Sequence, residues 1–162
     1  MPKTQYAART VVSEENTKAE IESTLRRFGA EAFGSAWDGT GGTVHHLIYF
    51  KLGGQPYRIT VPMPEEKEFQ YTPVRLVTRS PVEQRREWDQ AKRQRLRALL
   101  LVIKAKLAAV EAGITTLEQE FFSNLMLPSG QTMSEWAGPQ FRTMIAQGQM
   151  PPMLGRGKEH ND

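Results

Sequence analysis

The chain has 162 residues, 39% of them hydrophobic, and it contains no cysteine. This length suits one compact domain that buries about two thirds of its unfolded surface. The lack of cysteine excludes a disulfide framework, a thiol nucleophile and the usual zinc ribbons, and it fits a reducing compartment. No apolar run is long enough for a signal peptide or a membrane span. We therefore expect a cytoplasmic protein with no membrane partner.

Positive charge is concentrated in one part of the chain. The formal net charge is only +3, but the segment 75–106 holds ten Lys and Arg against three acidic residues, so the rest of the chain has an acidic surplus. Such an asymmetry favours a polyanionic partner or an acidic protein surface. Nucleic acid is the first partner that this distribution suggests.

The N-terminal part of the chain predicts an arm followed by a helix. Residues 1–16 show no helical periodicity, so we expect a flexible arm there and a single domain over residues 17–150. A capping-box pattern at Thr17 and Glu20, followed by apolar residues at helical spacing, predicts a first helix over about residues 18–28.

Three strand-like runs come next, at residues 31–37, 43–52 and 55–62. Glycine-rich breaks separate them, and the Gly53-Gly54 break is typical of a tight hairpin. In the third run alternate residues are apolar, which predicts one covered and one solvated sheet face, with Arg58 on the solvated face. The three runs predict an antiparallel meander.

A long helix is predicted in the middle of the chain. Residues 62–80 are punctuated by proline and predict an extended loop with a short strand near residues 74–77. Residues 80–83 then place Ser at a cap, Pro in the first helical turn and Glu three residues after the cap, each of which favours a helix start. Gly113 is the natural end of this helix.

Shorter elements complete the predicted fold. They are a helix opened by Thr115 and Glu118, a small hairpin around residues 128–130, a last helix capped by Ser134, and an extended tail over residues 151–162. The order of elements predicts an α+β fold with an N-terminal helix, a three-stranded antiparallel meander, a long central helix and short C-terminal helices with a small hairpin. Large apolar residues of the C-terminal part are expected in the core: Phe121, Phe122, Trp136, Phe141, Met144 and Met150.

Basic residues follow one side of the long helix. At about 100° per residue, its core-facing apolar stripe comprises Leu96, Leu99, Leu100, Ile103, Leu107 and Val110. Four basic residues lie within about 40° of one another along one flank of that stripe. We call them the basic rail: Arg86, Arg93, Arg97 and Lys104. The rail is about 27 Å long, because it extends over about eighteen residues at a rise of about 1.5 Å each.

The basic rail predicts a nucleic-acid-binding surface, because Lys and Arg at this spacing can contact successive phosphates. Lys92, Arg95 and Arg58 are expected to add to it. The alternative interpretation is structural, since Lys and Arg often lay their stems along apolar surface while their charged ends stay in water. An acidic host protein or protein complex is another candidate partner for the same face. The apolar, Pro-rich ending at residues 147–154 is a candidate for docking on a partner or on a second copy of the chain.

The sequence contains no recognisable set of catalytic residues. His45 and His46 are adjacent in a predicted strand, so their side chains point to opposite faces and do not jointly bind a metal. The glycine-rich residues 39–42 precede a strand and lack a following Lys-Ser/Thr, so they fail the phosphate-loop pattern. We expect no catalytic residue, no metal and no cofactor, and a non-enzymatic function fits better than an enzymatic one.

One enzymatic alternative follows from the order of elements. A helix, three antiparallel strands and a helix over residues 18–112 resemble the core order of the restriction-endonuclease-like superfamily. That resemblance implies a metal-dependent nuclease with clustered carboxylates, for which Asp38 and residues 65–67 (Glu-Glu-Lys) are the candidates. The Glu-x-Lys spacing stands beyond Pro62 and Pro64 rather than within the third strand, which departs from the pattern of that superfamily.

The C-terminal third of the chain resembles small uncharacterised proteins encoded in bacteriophage and prophage genomes. The motifs that carry the resemblance lie within residues 99–154 and are Val102-Ile103-Lys104-Ala105-Lys106-Leu107, Val110-Glu111-Ala112-Gly113-Ile114, Leu127-Pro128-Ser129-Gly130-Gln131-Thr132, Glu135-Trp136 and Gly148-Gln149-Met150-Pro151. The resemblance implies an accessory phage role in a bacterial cytosol and transfers no functional residue.

Together these expectations describe a non-enzymatic accessory protein that binds nucleic acid through the basic rail. The alternatives are a protein-binding module, such as an inhibitor of a host defence complex, and the metal-dependent nuclease.

Overall fold

The chain adopts an α+β fold in a computed structural model, which describes residues 5–148 and the side chains from residue 13 onward. Two long helices pack on one face of a three-stranded sheet, and short elements follow. The elements in chain order are α1 (Gln5–Arg27), β1 (Ala32–Asp38), β2 (His45–Leu52), β3 (Gln55–Pro62), a 3-10 turn (Glu66–Phe69), α2 (Pro81–Glu111), α3 (Leu117–Phe121), a second 3-10 turn (Phe122–Asn124) and α4 (Met133–Ala146). The predicted fold class is confirmed.

The sheet is an antiparallel meander with the strand order β1-β2-β3. Phe50 in the central strand lies opposite Phe33 of β1 and Tyr57 of β3. Gly53 and Gly54 join β2 to β3 with φ angles of 59° and 77°. Positive φ at both central residues is what a type I′ hairpin turn requires, and glycine adopts it without steric cost.

A single apolar core fills the space between the helices and the inner face of the sheet. It contains residues of α1, β2, β3 and α3, the part of α2 from Leu96 to Leu107, and Met63. Its fully buried members are Ile21, Leu25, Ile48, Tyr57, Leu96, Leu100, Ile103, Leu107 and Phe121. Arg58 of β3 lies on the outer face, as its alternation with Tyr57 predicts, but it is not solvated as expected: its side chain is only 17% exposed, because Gly130 and Glu135 pack against it.

The start and end of α2 agree with the prediction. The Ser80 hydroxyl accepts a hydrogen bond from the Glu83 amide at 3.3 Å, and the Glu83 carboxylate accepts one from the Ser80 amide at 3.0 Å. This reciprocal capping box satisfies two amides that have no partner within the helix. Past the other end, Gly113 has a φ of 71°.

The predicted start of α1 is wrong. The helix begins at Gln5, so residues 5–16 are helical rather than a flexible arm. Thr17 is not a cap: its side chain is buried and its hydroxyl donates to the Ser13 carbonyl at 3.1 Å, four residues back in the same helix. Such a bond to the preceding turn is common for Thr inside a helix. Residues 1–4 and the predicted tail lie outside the described residues.

Two helix caps and one strand also differ from the predictions. Thr116 rather than Thr115 caps α3, and Thr132 rather than Ser134 caps α4. In each case the capping hydroxyl accepts a hydrogen bond from the amide three residues later. The loop before α2 has no strand at residues 74–77, and a single bridge between Tyr71 and Thr78 closes it instead.

The expectation for the C-terminal aromatic residues holds only in part. Phe121 is fully buried, whereas Phe122, Trp136 and Phe141 are 51%, 48% and 54% exposed, so the expectation is wrong for these three. α4 contributes no buried residue to the core, and its main contact is with the neighbouring 3-10 turn. Helical periodicity predicts that an apolar face exists, but not that the rest of the described chain covers it. Met144 is half-buried, and Met150 lies outside the described residues.

Candidate nucleic-acid interface

The basic rail lies beside the groove between α1 and α2. The two helices run in parallel, because Glu14 of α1 is near Lys92 of α2 while Glu20 is near Lys104, further along both helices. Their shared apolar surface holds them side by side, with Ile21 and Leu25 of α1 in the same core as the apolar stripe of α2. The flank of α2 that carries the rail therefore faces α1 at its inner edge and solvent at its outer edge.

Two rail residues share one carboxylate. Arg97 Nη1 donates to Glu20 Oε2 at 2.8 Å, and Lys104 Nζ donates to Glu20 Oε1 at 2.7 Å. The hydrogen bond from Lys104 lowers the pKa of Glu20 below its ordinary value; burial opposes this shift, and the hydrogen bond from Arg97 adds to it. Glu20 is thus ionised at neutral pH, and it cancels only part of the charge of the two cations.

These ion pairs are open to competition from solvent and from other anions. The side chains of Arg97 and Lys104 remain 56% and 41% exposed, and that of Glu20 remains 42% exposed. Exposed ion pairs contribute at most about 1 kcal/mol, because water screens them and two long side chains must be held in one geometry. A phosphate can therefore replace the carboxylate at little cost.

The other two rail residues lie nearer the start of α2. Arg86 is exposed and Arg93 is half-buried on the same flank, and both also interact with other parts of the chain. At the far end of the rail, seven residues after Lys104, Glu111 lines a recess together with Arg27 and Phe28. On this flank of α2, the basic rail is thus followed by an acidic side chain, Glu111.

All three residues that we expected to assist the rail have structural partners, and two of them, Lys92 and Arg95, belong to α2. Lys92 is only 20% exposed, pairs with the buried Asp89 at 2.9 Å, and lies 4.0 Å from the ring centroid of Trp88. Arg95 lies on the opposite flank of α2, where its guanidinium donates to the Pro62 carbonyl at 2.6 Å. Both side chains stabilise packing around α2, which matches the structural interpretation of these residues.

Arg58 lies on the outer face of the sheet, away from the rail. Its guanidinium pairs with Glu135 at 2.5 Å and donates to the Gly130 carbonyl at 3.0 Å, which fixes the start of α4 to β3. Partial burial tends to raise the pKa of Glu135, but the Thr132 amide and Arg58 bring it below its ordinary value. The structure therefore brings four of the seven predicted residues together on one flank and leaves Lys92, Arg95 and Arg58 apart from it.

Glu20 is the residue of this surface that sequence reasoning missed. The sequence pattern places it in a capping box, because Thr17 precedes it by three positions. Its partners Arg97 and Lys104 lie 77 and 84 positions away in the sequence. Only the parallel packing of α1 on α2 brings them together, and no local pattern signals such a contact.

The residues considered for metal or catalytic chemistry either make local structural contacts or lie too far from one another to form a site. His45 and His46 lie opposite Asp38 and Trp37 on different faces of the sheet, and burial lowers the pKa of His46. Asp38 accepts a hydrogen bond from the Thr40 amide at 2.8 Å within the turn after β1. Glu65 caps the first 3-10 turn and pairs with Lys67. Within residues 5–148, no three His, Asp or Glu side chains are grouped so that they could bind a metal ion.

Comparison with known proteins identifies no relative. No protein-family model, curated protein or solved structure matches the chain. Among the described helices, none is long and apolar enough to cross a membrane.

Proposed function

We propose that the protein binds nucleic acid through the basic rail, as a non-enzymatic accessory protein. The observation that supports this proposal is the alignment of four cations along one flank of α2, two of which share the exposed carboxylate of Glu20. The rail's length of about 27 Å matches several successive phosphates of an extended strand or one side of a duplex groove. The resemblance of residues 99–154 to phage-encoded proteins is in keeping with an accessory role in a bacterial cytosol.

Glu20 acts in this proposal as an internal competitor of the phosphates. When it is ionised, it occupies Arg97 and Lys104 and reduces the positive potential between α1 and α2. Binding of nucleic acid then exchanges a carboxylate for phosphate oxygens at the same guanidinium and ammonium groups. Both ion pairs are exposed, so the exchange needs no opening of the core.

Replacing Glu20 by Gln should strengthen binding. The amide removes the competing charge while keeping the shape of the side chain, so we expect a several-fold lower Kd for a labelled oligonucleotide. The slope of log K against log salt should steepen by about 0.7 to 0.9 for each cation that no longer pairs with position 20 and contacts a phosphate instead. Fluorescence anisotropy at several salt concentrations measures both quantities.

Glu22→Gln is the matched control for this variant. Glu22 lies on the same helix and pairs with Arg26 at 2.7 Å, two positions from Glu20 and away from the rail. We expect its affinity and salt slope to equal those of the unmodified protein. Equal effects of the two substitutions would mean that general charge, and not the rail, controls binding.

A protein-binding module, such as an inhibitor of a host defence complex, is the second candidate function. The observation that favours it is an exposed apolar loop before α2, where Val74 and Leu76 are 91% and 74% exposed, next to Val82 in the first turn of α2, which is 80% exposed. The loop is held in shape by Arg79, whose guanidinium donates to the carbonyls of Phe69 and Tyr71 at 3.0 and 2.7 Å. A fixed apolar tip of this kind is typical of protein interaction sites.

The two candidates respond differently to a charge on this loop. Val74→Asp should abolish capture of a protein partner from nuclease-treated bacterial lysate, while nucleic-acid affinity stays unchanged. Ile114→Asp is the control, because Ile114 is an exposed aliphatic residue (79%) past the far end of α2. If the Val74→Asp variant still captured the protein partner, the loop would not be the binding site for that partner.

A further inference from the structure

β1 is an edge strand whose outer side has no partner among the described residues. All seven of its residues pair in continuous register with β2, and neither the sheet nor any isolated bridge in the described part of the chain places another strand beside it. In an antiparallel strand, alternate residues direct both their N–H and C=O groups to the same side. Three or four residues of β1 therefore present unpaired backbone groups at this edge.

The opposite edge of the sheet is protected. Tyr57 of β3 forms a bridge with Leu125, and the Pro56 carbonyl accepts a hydrogen bond from the Met126 amide at 2.9 Å. Further along, the Asn124 side chain donates to the Arg58 carbonyl, and Arg95 donates to that of Pro62. The segment after α3 and one side chain of α2 thus satisfy three outer carbonyls of β3, and β1 has no such cover from the described residues.

Up to its last residue, Asp38, β1 also lacks the features that usually keep an edge strand from pairing. Such strands commonly carry Lys, Pro or a bulge. The six residues from Ala32 to Trp37 include no charge and no proline, and the register with β2 is regular throughout. The large side chain at the end of this stretch, Trp37, is 73% exposed.

We propose that β1 pairs antiparallel with β1 of a second copy of the chain, so that two three-stranded sheets form one continuous six-stranded sheet. The sequence of β1 is self-complementary about Ser35. With Ser35 opposite Ser35 of the second copy, Phe33 lies opposite Trp37, and Gly34 lies opposite Ala36. This inference is independent of nucleic-acid binding.

The pairing of Phe33 with Trp37 favours a second copy of β1 over other segments as the strand that pairs with this edge. Phe33 and Trp37 point to the inner face of the sheet, because their β2 neighbours are Phe50 and His46. Trp37 extends beyond the cover of the helices, as its exposure shows. Two-fold pairing places each exposed Trp37 beside Phe33 of the other copy, and cross-strand aromatic pairs are among the favourable contacts of a sheet. The two contacts are equivalent, as a two-fold interface requires.

Sedimentation velocity over a range of concentrations tests the proposal. The full chain should show a reversible monomer–dimer equilibrium, and Trp37→Lys should weaken dimerisation by about tenfold or more, because two cations would lie in the new interface. Val74→Lys adds the same charge at an exposed position (91%) outside the sheet and should dimerise like the unmodified protein. Circular dichroism should show that both variants are folded.

A single introduced cysteine tests the register directly. The chain has no cysteine, so Ser35→Cys gives each copy one thiol, and these two thiols face each other in the proposed dimer. Opposite residues of antiparallel strands have Cβ atoms about 4.5 to 5.5 Å apart, which small adjustments bring within reach of a disulfide. Mild oxidation should yield a covalent dimer from Ser35→Cys, and little from the exposed control Ser129→Cys.

Three results would overturn the proposal. The first is a monomer at every concentration, in which case slow amide exchange in β1 would show that another segment of the same chain covers the edge. The second is a dimer that Trp37→Lys leaves unchanged. The third is a dimer that does not cross-link through position 35, which would assign self-association to another surface.

Discussion

Phe121→Ala should destabilise the protein by about 3 to 5 kcal/mol, the usual cost of removing a buried phenylalanine ring from a core. The ring is fully buried, and its centroid lies 5.5 Å from that of Phe50 and 5.8 Å from that of Tyr57. α3 has only five residues, so this ring is its main attachment to the sheet. Urea unfolding followed by circular dichroism measures the free energy of unfolding of the variant and of the unmodified protein.

The neighbouring residue provides a matched control. Phe122 follows Phe121 directly but is 51% exposed. Phe122→Ala removes the same number of atoms without leaving a cavity, so it should change the free energy of unfolding by about 0.5 kcal/mol or less. Similar losses in the free energy of unfolding for Phe121→Ala and Phe122→Ala would contradict the described position of α3 against the sheet.

Removing two charges from the rail should weaken nucleic-acid binding strongly. In the double variant Arg97→Gln, Lys104→Gln, two phosphate contacts are lost, so the slope of log K against log salt should become shallower by about 1.4 to 1.8. At low salt, where these contacts contribute most, we expect the Kd to rise by about tenfold or more. The neutral Gln side chains avoid the repulsion from Glu20 that a charge reversal would create.

The control for this variant removes the same two charge types elsewhere. Arg26 and Lys51 are exposed and pair with Glu22 and Glu31, as Arg97 and Lys104 pair with Glu20. The double variant Arg26→Gln, Lys51→Gln therefore has the same net charge as the rail variant. If both variants bound equally weakly, the account of a localised rail would be wrong, and binding would depend on net charge alone.

Local sequence patterns predicted the elements whose boundaries depend on local interactions. The start of α2 is an example, because the capping box of Ser80 and Glu83 forms between residues three positions apart. The turn at Gly53 and Gly54 is another, since positive φ angles restrict the choice of residue there. The start of α1 was missed because Thr17 satisfies two roles equally well: it can cap a helix, or it can bond the preceding turn from inside one.

Predictions failed where the outcome depends on distant contacts. The apolar face of α4 was correctly recognised as apolar, yet Trp136 and Phe141 remain about half exposed because no described element packs over them. The alignment of the rail follows from helix geometry alone and could be predicted. The pairing of Arg97 and Lys104 with Glu20 could not, because it arises from the packing of α1 against α2.

The central claim is that the basic rail binds nucleic acid, and the anisotropy of labelled single-stranded and double-stranded DNA and RNA at several salt concentrations, with and without Mg²⁺, tests it most directly. We predict binding whose log K falls linearly with log salt, with a slope of about −2 or steeper, since three or four rail residues would each contribute about 0.7 to 0.9. The same binding is expected without Mg²⁺. Absence of binding to all of these probes at low salt would contradict the claim.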